Sequence, residues 1–158
     1  MRGSELLAQL ESCTLPEDGF HHADHVRAAW EYLRRNPPLE AMRKFSEAVR
    51  AYAAFRGKPE RYHETVTWAY LLLIRERMER AAAHGGWDEF AAANRDLFAP
   101  KNGLLLKYYR PETLKSDLAR RVFLMPDRGR RRSLLGALKK GAGRLSRGDL
   151  SVGRKSNR

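Results

Sequence analysis

Apolar side chains recur along this chain at intervals of three and four residues, the spacing that gathers them on one face of an α-helix. The densest stretch is Tyr62 to Ile74, whose apolar residues fall on nearly every face of a 3.6-residue period. A helix patterned in that way needs neighbours on all sides, so the pattern predicts a central apolar helix over about 62–83, closed by Gly85-Gly86. Ser4 is placed to cap a short first helix through about Cys13, with Leu6, Leu7 and Leu10 inward, before Leu15-Pro16-Glu17-Asp18-Gly19 breaks it. Val26, Ala29, Trp30 and Leu33 form the stripe of a second helix, from about His22 to Arg35. Pro38 suits the first position of a third, which buries Met42, Phe45, Val49 and Tyr52 and runs to about Phe55. Gly57-Lys58-Pro59 then turns the chain. A shorter helix is expected from about Trp87 to Asn94, and a last one from Pro111 that carries Leu114, Leu118 and Val122 and ends before Pro126. No segment alternates convincingly with period two. The pattern predicts an all-α, single-domain bundle of about five to six helices.

Composition and charge refine this picture. At 158 residues the chain has the length of one domain with a proper core. Cys13 is its single cysteine, which rules out an intramolecular disulfide and fits a reducing compartment. No apolar run resembles an export signal, and the longest, Trp68 to Ile74, is too short to span a bilayer. These features predict a soluble, cytoplasmic protein. The formal charge is +12, but residues 127–158 hold 11 Lys and Arg against 2 Asp and Glu, leaving 20 against 17 in residues 1–126. The excess therefore belongs to a basic tail, 127–158, rather than to the helical domain, 1–126. There Arg130-Arg131-Arg132 precedes Leu134, Leu135, Leu138 and Leu145, interrupted by Gly136, Gly141 and Gly143. Each glycine costs a helix about 1 kcal/mol, so the tail is expected to stay disordered until it meets nucleic-acid phosphate or an anionic membrane surface. A solvated extension without a partner fits the same composition.

The candidate chemistry lies in the histidines. Three of the five fall within His21-His22-Ala23-Asp24-His25, at the start of the second helix. His22 and His25 stand three apart and His21 and His25 four apart; either pair can converge on one metal ion. His63 offers a third nitrogen, and Glu64 an oxygen ligand or a general base. Divalent iron, zinc, manganese or nickel suits such a set. Thr67 lies one turn above His63. The plainer alternatives are a capping or surface role for each histidine, and a first-turn carboxylate on the helix dipole for Glu64 and for Asp24. Trp30, Trp68 and Trp87 read as core, Cys13 as structural, and Tyr108 and Tyr109 as either packing residues or the lining of a pocket. The chain has no glycine-rich phosphate loop, no Gly-x-Ser-x-Gly elbow and no cysteine pair with zinc-ribbon spacing.

The pattern Phe20-x-His22-x-x-His25-Val26-x-x-Ala29-Trp30, then Tyr62-His63-Glu64-Thr65-x-Thr67, then Tyr108-Tyr109 and Ser116-Asp117-x-Ala119-Arg120, resembles a group of small uncharacterised bacterial proteins, from about Gly19 to Asp127. That resemblance implies no activity. A looser one is to the HD-type metal-dependent phosphohydrolases, all-α proteins with an early metal-binding His, a His-Asp pair on a later helix and a distant Asp. Phe20 to Val26 is similar to their opening segment, His63-Glu64 stands where His-Asp is expected, and Asp117 stands where the last Asp is expected. The pair differs in carrying Glu for Asp. Two functional readings follow. In one, His22, His25, His63 and Glu64 hold a divalent ion, Glu64 doubles as the base that deprotonates a bound water, and a phosphate ester is hydrolysed. In the other, the histidines form a buried hydrogen-bond network in a non-enzymatic protein that acts through its surface or its basic tail.

Overall fold

The computed structural model describes residues 2–80, 85–100 and 103–129, and every regular element among them is helical. Seven α-helices follow in chain order: α1 (Gly3–Glu11), α2 (His22–Arg35), α3 (Pro38–Phe55), α4 (Glu64–Arg80), α5 (Trp87–Ala93), α6 (Pro111–Lys115) and α7 (Asp117–Arg121). They belong to one compact unit that runs to Arg128. No described helix is long and apolar enough to cross a membrane. Residues 130–158, and with them the disorder and the partners expected of the basic tail, lie outside the described residues.

The periodic stripes become the core. Val26, Ala29, Trp30 and Leu33 are all buried where α2 packs against α1, α3 and α4. Met42, Phe45, Val49 and Tyr52 meet them from α3. From α4 come Leu71 and Ile74, both fully buried, each worth roughly 1.5–3 kcal/mol relative to an exposed side chain. Trp30 makes an edge contact with Trp87 at 5.7 Å, and Trp68 stacks on Phe123 at 5.9 Å, so these tryptophans serve packing.

Four details depart from the pattern. The first helix starts at Gly3, not after a Ser4 cap, because the Glu5 carboxylate reaches back to accept the Arg2 N–H at 3.4 Å. It stops at Glu11, before Cys13, which takes the left-handed conformation at φ 56° while the Thr14 N–H donates to the Gln9 carbonyl at 2.9 Å. The apolar helix expected over 62–83 is α4, but it is not covered on every side: Leu72 is 44% exposed. The helix expected from Pro111 divides into α6 and α7, because Ser116 accepts the Ala119 N–H at 3.2 Å and restarts the chain as a cap. Leu118 and Val122 are consequently exposed rather than buried.

Candidate functional site

The site begins with two caps. At the start of α2 the Asp24 carboxylate accepts the His21 N–H at 2.9 Å, which makes His21 the exposed cap and fixes where the helix begins. His22 and His25 then sit one turn apart, on the side that continues into Val26 and Ala29. At the start of α4, His63 holds the cap position: its Nδ1 accepts the Val66 N–H at 3.3 Å. The two helices face each other across a cavity of about 640 Å³ lined by His22, His25 and His63 together. Imidazoles some forty positions apart in sequence thus share one chamber. His22 and His25 both line it, and His21 does not.

Each ring is held differently. His22 donates from Nε2 to the Leu97 carbonyl at 2.8 Å, because a carbonyl only accepts, and its ring meets Tyr70 edge-on at 4.9 Å. His63 donates from Nε2 to the Leu114 carbonyl at 2.8 Å, so both of its nitrogens are engaged. Burial first, and the nearby Arg120 charge, hold the His63 imidazole below its ordinary range, against the opposing pull of the Leu114 bond. The His25 ring makes no hydrogen bond to the described residues. It stacks on Phe20 at 3.8 Å, is half-buried, and lines the cavity. Burial, with His22 beside it, pushes its pKa down to about 4. At neutral pH it is an uncharged ring with uncommitted nitrogens.

Glu64 lies elsewhere. Its Oε2 accepts from Arg50 at 2.9 Å and from the Tyr62 hydroxyl at 2.7 Å, so the carboxylate anchors the back of Tyr62 while the front of Tyr62 lines the cavity. The expected set of His22, His25, His63 and Glu64 is therefore not brought together as ligands of one ion. Among the described residues no group of three or more His, Cys, Asp and Glu side chains stands where it could hold a metal. The physical reason is competition: Arg50, the Val66 N–H and the Leu114 carbonyl already occupy the groups on α4. Asp24 is a cap, and Asp117 is exposed at the start of α7. Tyr109 is buried, donating to the Leu124 carbonyl at 2.9 Å, and neither it nor Tyr108 lines the cavity.

Of the other lining residues, Glu60 and Arg61 belong to no motif, whereas Arg120 closes the Ser116-Asp117-x-Ala119-Arg120 pattern and Thr67 the one that begins at Tyr62. Glu60, Arg61 and Arg120, all exposed, form the rim, and Arg120 Nη1 donates to the Glu60 carbonyl at 2.9 Å. The floor is apolar, with Val26, Ala29, Phe45, Val49 and Val66, and Thr67 and Tyr70 complete the wall. A chamber of this size, apolar below and polar at a few points, has the composition of a small-molecule site. No family model, curated protein or solved structure matches this chain.

Proposed function

We propose that the protein binds a small organic molecule in the cavity between α2 and α4, with His25 as the group that meets the ligand's polar atom. The observation that carries this reading is the state of His25: a half-buried imidazole that lines the cavity, is uncharged at neutral pH and has no hydrogen-bond partner for its ring among the described residues. A ring without a protein partner offers its nitrogens to a ligand or to water, and a typical hydrogen bond of this kind contributes about 0.5–1.5 kcal/mol. Such a ring can accept from an acid or hydroxyl, or donate to a carbonyl, according to its tautomer. The test is a fragment screen followed by NMR of the histidine rings. Ligands that bind should move the His25 ring signals, and His25→Phe should weaken them about tenfold. Fragments that bind equally well to His25→Phe would remove His25 from the site.

A second reading is supported by His22. Its Nε2–H is fixed on a backbone carbonyl, which leaves Nδ1 as the only nitrogen free to bind an ion, the arrangement that orients many metal-bound histidines. Two imidazoles, His22 and His25, would then hold divalent iron, zinc, manganese or nickel, and ligand or water would complete the shell; a bound ion would supply Lewis-acid chemistry for hydrolysis. Elemental analysis of protein purified without a histidine tag tests this. Stoichiometric metal, lost in His25→Ala, supports it, and metal-free protein that takes up none of the four ions opposes it.

A further inference from the structure

The identity of the ligand can be taken one step further, on the strength of the cavity reading above. Several arginines have their charge matched, among them Arg50 with Glu64 and Arg77 with Asp96. Arg61 and Arg120 are the two arginines of the cavity lining, and neither forms an ion pair among the described residues. Arg120 is also held in place, since one of its five N–H donors is spent on the Glu60 carbonyl and the others stay available. Its charge reaches inward far enough to depress the His63 imidazole. Against these two guanidiniums the lining sets one carboxylate, Glu60. The permanent charges of the chamber therefore sum to a single positive charge at the rim, above an apolar floor.

We infer that the ligand is a monocarboxylate with a largely apolar body, its carboxylate held at the rim by Arg61 and Arg120, its body resting on Val26, Ala29, Phe45 and Val49, and a polar atom of that body, where it has one, meeting His25. Guanidinium matches carboxylate geometry through paired N–H donors, and a fixed guanidinium loses less freedom on binding than a mobile one. A cation meets like charge at the entrance. A phosphate monoester carries more negative charge than the rim offsets, with the Glu60 carboxylate beside it. A neutral body of the same shape fills the floor and leaves both guanidiniums unmatched.

Four probes that share one ring and differ in head group decide the matter: benzoate, phenyl phosphate, benzamide and benzylamine. Calorimetry and histidine-ring NMR on the full chain give affinity and place of binding. Benzoate should bind about tenfold more tightly than benzamide, move the His25 signals, and weaken as salt is raised. Arg61→Gln and Arg120→Gln, singly and together, should lower benzoate affinity, about tenfold for the pair, and leave benzamide unchanged. Both side chains are exposed, and a thermal melt of each variant confirms the fold. Benzamide or benzylamine binding as tightly as benzoate, or benzoate indifferent to both substitutions, overturns the carboxylate assignment while the cavity reading stands. Phenyl phosphate binding more tightly than benzoate overturns it in favour of a phosphate. If none of the four moves the His25 signals, the cavity reading falls and the assignment falls with it.

Discussion

Acid should destabilise this protein through His25. In the unfolded chain that imidazole has its ordinary pKa of 6.5, and in the fold burial and the neighbouring His22 lower it to about 4. Between those two values the unfolded chain takes up a proton that the folded protein refuses, so stability is full above pH 6.5 and falls as the pH drops toward 4. The difference corresponds to about 3 kcal/mol, a large share of a typical domain's stability. His63, Tyr70 and the Glu60, Arg61 and Arg120 rim also face the chamber, and Asp96 and Asp127, both held below the usual carboxylate range, weaken the fold in acid as well. The informative quantity is therefore a difference. Urea unfolding of wild type and His25→Phe, repeated from pH 7 down to pH 4, should show the variant losing about 3 kcal/mol less over the interval. Parallel curves, separated by less than about 1 kcal/mol in their total fall, would show that His25 titrates as it does in solvent and would refute the argument from burial.

Three further outcomes follow from neighbouring contacts. A Cβ on Gly3 would overlap Oε1 of Glu31, a buried carboxylate paired with Arg34 and Arg35, so Gly3→Ala should cost about 1–3 kcal/mol in urea unfolding, where a helix-propensity argument alone predicts a gain. The fully buried Thr65 hydroxyl donates to the Val122 carbonyl at 2.8 Å and accepts the Leu124 N–H at 3.0 Å. Thr65→Val should therefore cost about 2–4 kcal/mol and Thr65→Ser clearly less; equal losses would point to packing instead. Glu64→Gln should leave cavity binding within about twofold of wild type and lower stability by up to about 1 kcal/mol, since Glu64 serves Arg50 and Tyr62 from behind; abolished binding would return it to the site.

The sequence made some of this legible and hid the rest for identifiable reasons. The stripe Val26, Ala29, Trp30, Leu33 predicts both the burial of α2 and the direction of His25, since a ring one turn before Ala29 points where Ala29 points. Proline and glycine positions marked α3 closely, at Pro38–Phe55. The division at Ser116 was readable as a cap followed by Asp117, but the spacing of Leu114, Leu118 and Val122 outweighed it. The fate of Glu64 and His63 was not readable. Their partners, Arg50, Leu114 and Arg120, come from other elements, and carbonyls such as those of Leu97 and Leu114 carry no side-chain signal. Arg120 reaches the Glu60 carbonyl across sixty positions, a contact that only the packed fold creates.

The most direct test of the account is the protonation state of His25 itself, followed by NMR of its ring nitrogens as the pH is lowered and again after benzoate is added. A neutral ring down to near pH 4, with signals displaced by benzoate, is the predicted result. A ring that titrates near 6.5 and ignores benzoate would place His25 in open solvent and contradict the central claim.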